Sequence, residues 1–277
     1  MPIPIAEALD DHAALAVAKA RQARDLPRYL LSSLLAGAYV GVAIVLLVSV
    51  SAPLVASGSG AAKLVQGAVF GLALTLVVFA GAELFTGNAM VMLQGWYART
   101  VRPAELALVW AASLVGNVVG SVLLAAAVHA GGTLTGGPGA ELIGTIANAK
   151  DAAPGPQLFW RAVLCNALVC LALWMAARTR SDAAKLAVLW WALLAFIGSG
   201  FEHSIANATT LSLAALEGSV GWGALARNLV WTIPGNVVGG GLVIGLGYAW
   251  MGKVRTAAAP TPADVHAPAN EPVLTPA

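Results

Sequence analysis

Three ionisable side chains stand in strongly apolar surroundings: Glu83, Glu202 and His203. Two lie in Gly81-Ala-Glu-Leu-Phe-Thr-Gly-Asn-Ala89 and Gly200-Phe-Glu-His-Ser-Ile-Ala-Asn-Ala208, at the same place in each segment, and His203 follows the second glutamate. An imidazole changes charge near neutral pH and, when protonated, offers two donors to an anion. The glutamates read first as structural, accepting hydrogen bonds from backbone N–H groups freed where a helix breaks. His203 is different, because Leu84 occupies its place in the first segment. Thr86 adds a hydroxyl that can meet His203 or a passing substrate, or bond back to its own helix. No nucleophile or metal-ligand cluster accompanies Glu202 and His203. Catalytic residues, metal and cofactor are therefore all expected to be absent, and a membrane-embedded enzyme using this pair as acid and base is a distant alternative.

The elements that carry these residues follow from composition. Of 277 residues, 59% are hydrophobic and 10% charged, with mean hydropathy +0.80. A soluble domain carries about 25% charged residues, so an ordinary soluble enzyme is excluded. A net charge of +2 is too small for a nucleic-acid binder. Cys165 and Cys170 lie inside one apolar run and read as packing residues. Apolar stretches at 30–50, 64–82, 106–130, 162–177, 186–201 and 229–251 each approach the ~20 residues that cross a bilayer as a helix. The second and fifth are interrupted, at Glu83, Gly87 and Asn88 and at Glu202, His203 and Asn207.

Six spans put both termini on one side. The N-terminus, the loops at 99–102 and 178–185 and the end at 253–255 hold eleven of the fifteen Lys and Arg residues, which places both termini in the cytoplasm. Residues 1–28 lack the apolar core of a signal peptide and read as an amphipathic helix at the membrane surface or as a soluble cap. Residues 29–252 form the membrane domain, and 253–277, rich in Ala and Pro, a disordered cytoplasmic tail.

The two interrupted segments match at an offset of 119, and the same offset carries Gly116-Asn-Val-Val-Gly120 onto Gly235-Asn-Val-Val-Gly239. Each half then holds three spans, so the halves cross in opposite directions: an all-α membrane protein built as two inverted three-helix repeats. In such folds the broken helices meet near the midplane, where a charge costs about 2.5–3.5 kcal/mol on insertion scales. Asn117, Asn166 and Asn236 read as helix–helix contacts. Gly37, Gly41, Gly116, Gly120 and 239–241 permit close packing. Phe70, Leu74, Leu84, Phe85 and Phe196 are core residues, or apolar constrictions on either side of the histidine. Few fixed charges, with Lys150 adding a mild positive bias outside, favour an anion or neutral acid over a cation.

These segments resemble the two signature segments of the formate–nitrite transporter family. Stretches 36–41, 164–175 and 189–196 are similar to its nitrite-channel branch. The resemblance implies an aquaporin-like six-helix protomer in a homopentamer of the bacterial inner membrane, each protomer with its own pore. It implies small anions as cargo, nitrite first, with formate, acetate, lactate or hydrosulfide as the alternative, together with the proton and the lipid bilayer as partners. By matching motif, His203 is the central pore histidine and Thr86 the threonine facing it. Asn166 and Asn236 flank the histidine region, Lys150 lies in the outer vestibule, and Phe70, Leu74, Leu84, Phe85 and Phe196 line the constrictions. The N-terminal helix covers the cytoplasmic mouth in some states. The chain departs from the pattern at Pro234, which bears on the kink of span six, and at Ala89 and Ala208, which bear on pore width.

Overall fold

A computed structural model describes residues 1–252, which are helical with no strand among them. The tail expectation, with Lys253 and Arg255, lies outside the described residues. In chain order the helices are α1 (Ile5–Gln22), α2 (Leu26–Ala56), α3 (Ala62–Phe70), α4 (Leu72–Ala80), α5 (Phe85–Tyr97) and α6 (Pro103–Ala130). They continue as α7 (Gly137–Ala152), α8 (Gly155–Ala177), α9 (Asp182–Gly198), α10 (Ser204–Leu216) and α11 (Trp222–Asn236), which runs through a π-helical stretch, Val237–Leu246, into α12 (Gly247–Met251). Among the described residues five helical segments are long and apolar enough to cross a membrane: Leu26–Ala56, Ala62–Ala80, Pro103–Ala130, Gly155–Ala177 and Trp222–Met251. The remaining apolar stretch is divided between α9, of 17 residues, and α10, of 13.

Apolar side chains gain little by leaving lipid for protein, so close backbone approach must hold such helices together. Two crossings show how. A Cβ at Gly120 of α6 would overlap the Leu34 carbonyl of α2, and one at Gly239 would overlap the Val163 carbonyl of α8. Gly116 and Gly235 likewise face Leu30 and Phe159. The glycines are 119 residues apart and their partners 129 apart, so one contact is built twice. Pro234 lies inside α11 and has no amide N–H to give to the helix ladder. Three residues later the chain is in the wider π geometry, which carries Gly239–Gly241 past Asn166 and Cys170 of α8 and Ala89 and Leu93 of α5.

Two shorter helices lie outside the long ones. α1 buries Ala8, Leu9, His12, Ala13, Ala16 and Ala20, and Ala16 meets Gly95 of α5. α7, which apolar run length does not reveal, buries Leu142, Ile143, Gly144 and Ala147. Each carries a lysine to one of the breaks.

Candidate functional site

The two breaks are made by the same local chemistry. Gly81 ends α4 at φ 76°, and Gly200 follows α9 at φ 73°. That left-handed conformation costs an L-residue about 1–2 kcal/mol. The chain then turns extended, through Leu84 and His203, and restarts as α5 and α10. A new helix start exposes backbone N–H groups. Phe85 N–H donates to Asn117 Oδ1 (2.8 Å) and Ser204 N–H to Asn236 Oδ1 (2.9 Å). The same amides donate onward, Asn117 to the carbonyls of Ser33 and Glu83 and Asn236 to those of Ala162 and Glu202. The expectation that Glu83 and Glu202 cap the freed N–H groups is therefore corrected. An amide can accept from the backbone on one side of a break and donate to a carbonyl on the other, whereas a carboxylate only accepts. Asn117 and Asn236 do join helices, but they also terminate both breaks.

The carboxylates meet cations instead. Glu83 binds Lys19 Nζ of α1 through both oxygens (2.7 and 2.8 Å) and accepts from Tyr29 Oη and Asn88 Nδ2 (3.0 Å each). Glu202 binds Lys150 Nζ of α7 (2.7 Å) and accepts from Asn207 Nδ2 (2.6 Å), which also donates to Asn228. With 12% and 4% of these side chains exposed, each charge requires such a partner. Lys150 lines the cavity beside Glu202, and its charge is matched by that carboxylate.

Between the breaks, His203 Nε2 lies 3.1 Å from Thr86 Oγ1, both residues buried. The threonine bonds across to the histidine rather than back to its own helix. His203 Nδ1 accepts from Ala206 N–H (3.2 Å), capping α10. Nδ1 is thus an acceptor, and the ring carries its proton on Nε2, pointing at Thr86. The Thr86 carbonyl is held by Asn166 Nδ2 (3.1 Å) and Cys170 Sγ (3.3 Å), and Asn166 also donates to the Asn236 carbonyl. Cys170 therefore does more than pack. Phe196 stacks on His203 with ring centroids 6.1 Å apart, and Phe70 meets Phe196 edge-on at 5.4 Å. Phe70, Leu74, Leu84 and Phe196 belong to one buried apolar cluster. Phe85 stands apart, its ring edge-on to Trp110 of α6.

Two separate cavities lie beside the breaks. One, of about 850 Å3, is lined by Lys19, Tyr29, Glu83, Leu84, Gly87 and Asn88. The other, of about 340 Å3, is lined by Lys150, Phe196, Glu202, His203 and Asn207. They share no lining residue, and Thr86, which lines neither, bonds His203, which lines the second. Lys19, Tyr29 and Asn228 escaped the sequence reading. The available signal was a buried glutamate in each half, each requiring a cation from an amphipathic helix that precedes the half's first long span.

Residues 6–250 match the family model described as formate/nitrite transporter. The chain belongs to the formate/nitrite transporter family. That family is one of transporters, not enzymes, and the match encloses every residue of the two breaks. The chain is 40% identical to the nitrite transporter NirC of Salmonella typhimurium over 240 residues, covering 86% of this chain and 87% of that protein. Among solved structures, an FNT family ion channel superposes with TM-score 0.83 at 39% identity, covering 88% of this chain and 98% of the other. A pentameric formate channel with formate bound gives TM-score 0.68 at 29% identity, covering 82% of this chain and 97% of the other.

Proposed function

We propose that this member of the formate/nitrite transporter family passes nitrite through a pore within each protomer, by way of the His203–Thr86 contact. The observation that carries the reading is the position of that contact: His203, stacked on Phe196, lines the Lys150 cavity, and Thr86, bonded to it, adjoins Gly87 of the separate Lys19 cavity. Identity of 40% to a nitrite transporter, against 36% to a probable formate transporter and 33% to a formate channel, favours nitrite by a small margin. Formate is the second reading, supported by the formate bound in the pentameric channel.

The protomer has six spans, with α9 and α10 together forming the fifth, in two inverted repeats. The matched Asn–backbone and Glu–Lys bonds at both breaks support this. Residues 1–28 cap the Lys19 cavity on the cytoplasmic side, both termini are cytoplasmic, and 29–252 is the channel domain of a homopentamer in the bacterial inner membrane. The pentameric neighbour supports that assembly.

His203 acts first as a donor. An arriving anion takes the Nε2–H in place of Thr86 Oγ1, and Phe70, Leu74, Leu84 and Phe196 strip its water. Proton transfer makes a further demand. Nε2 can release its proton only if Nδ1 gains one, and that requires the Ala206 N–H bond to open. The first turn of α10 thus couples protonation to passage. Competition in proteoliposomes tests the cargo: nitrite should enter faster than formate, and excess formate should slow nitrite only partly. Equal rates would make the cargo small monovalent anions generally.

A further inference from the structure

The turn that leaves each restarted helix is built twice, bond for bond. After α5, Ala98 N–H donates to the Gln94 carbonyl, Arg99 N–H to Trp96 and Thr100 N–H to Gly95. After α10, Glu217 donates to Leu213, Gly218 to Ala215 and Ser219 to Ala214, again 119 residues on. The central residue is left-handed in both turns, at φ 59° in Arg99 and φ 75° in Gly218. Three residues later, the N-cap of the next long helix is Arg102 before α6 and Gly221 before α11. One backbone thus carries glycine at both places in the second half and arginine at both in the first. Among the described residues Arg99 is the one non-glycine residue at positive φ, in a conformation that glycine adopts without steric cost.

The fold does not explain these arginines. Arg102 Nη2 and Arg24 Nη2 both donate to Glu105 (3.2 and 3.0 Å), so that carboxylate serves two cations. Arg99 is exposed, and among the described residues its guanidinium has no ion pair or hydrogen bond. Attraction to the carbonyl end of α5 favours a cation nearby. It does not require one in the left-handed region, since the exposed Tyr97 position in the last turn offers the same carbonyls without strain. Trp96 and Tyr97 are 45% and 39% exposed, where the second half has Ala215 and Leu216.

We infer that Trp96, Arg99 and Arg102 form a binding site for the headgroup of an anionic phospholipid. The inference rests on the orientation proposed above, which puts this turn at the cytoplasmic leaflet. An exposed indole settles at the level of the headgroups. A guanidinium meets a phosphate there through two parallel N–H···O bonds, and Arg99 has no protein partner to give up. Arg102 adds a second charge, partly matched by Glu105. The twin turn on the other face, with neither arginine, has no such site. Strain persists at Arg99 because glycine would forfeit the headgroup.

The test counts bound lipids and does not require transport. Full-length protein in neutral detergent is titrated with phosphatidylglycerol or phosphatidylcholine, and occupancy is read by native mass spectrometry. Arg99→Gly should lower phosphatidylglycerol affinity about fivefold, the contribution of one basic side chain at an anionic lipid surface, and leave phosphatidylcholine unchanged. Arg99→Lys should keep most of the preference. Melting in detergent alone should run the other way, with Arg99→Gly above wild type because strain is relieved, so that lost lipid binding is not lost folding. Unchanged phosphatidylglycerol affinity in Arg99→Gly, or equal falls for both lipids, would overturn the inference. So would soluble glycerol phosphate that competes as well as the lipid, which would mark a free-phosphate site. Orientation is read separately with Arg99→Cys in intact cells, Cys165 and Cys170 being fully buried and silent to impermeant thiol reagents. Labelling from outside would overturn the proposed orientation and leave the lipid site standing.

Discussion

His203 has two tasks that a substitution can separate. Its Nδ1 caps α10 while its Nε2 faces Thr86. Loss of an N-cap costs about 1 kcal/mol, so His203→Ala should lower thermal stability modestly, whereas His203→Asn, which can still accept the Ala206 N–H, should melt close to wild type. Equal melting of both variants would count against the cap. Lys150 presents a harsher case. Removing one partner of a buried ion pair leaves a bare charge and costs about 3–5 kcal/mol. Lys150→Ala should therefore be strongly destabilised, and Lys150→Met combined with Glu202→Gln should recover most of the loss. A double variant as unstable as Lys150→Ala would mean that packing, not charge, holds the pair. The sequence located Glu83, Glu202 and His203, because a charge in an apolar run stands out. Which atom meets which partner was not legible, since Lys19 is 64 residues from Glu83 and Lys150 is 52 from Glu202.

At the scale of elements, α1 is the most separable piece. His12 lies buried on its inner face, with Nδ1 2.6 Å from Gln94 Oε1 of α5 and its ring edge-on to Trp174. Burial holds the imidazole below its ordinary value of 6.5; the Gln94 bond and Asp11 act the other way, and Lys19 adds to the lowering. A base whose folded value is depressed is docked in its neutral form. The docking energy is thus complete above the unfolded value and falls as pH drops below it. Hydrogen exchange of α1 amides should accelerate between pH 7 and pH 5 relative to α2, and His12→Gln should flatten that difference. Constant relative protection in the wild type would show that His12 does not govern docking. The long helices were legible from apolar run length. α7 was not, because only four of its sixteen residues are buried. The π-helical stretch was legible only as Pro234 and a glycine run.

At the scale of the whole molecule, the offset of 119 already implied duplication, and matched glycine contacts and matched Asn bonds give it physical content. The second offset, near 130, stayed hidden because the elements related by it share backbone positions rather than side chains: Ser33 corresponds to Ala162, and Leu30 to Phe159. Duplication makes the two breaks alike. His203 in place of Leu84 makes them unequal, and on the function proposed above the histidine is where one symmetric frame becomes one proton-linked pathway. The most direct test is to follow nitrite entry and proton uptake together in proteoliposomes holding an internal pH dye, for wild type and His203→Ala. Wild-type entry should carry protons with it, and the variant should admit nitrite with proton uptake per nitrite reduced several-fold. Unchanged proton uptake per nitrite in His203→Ala would contradict the role assigned to the histidine.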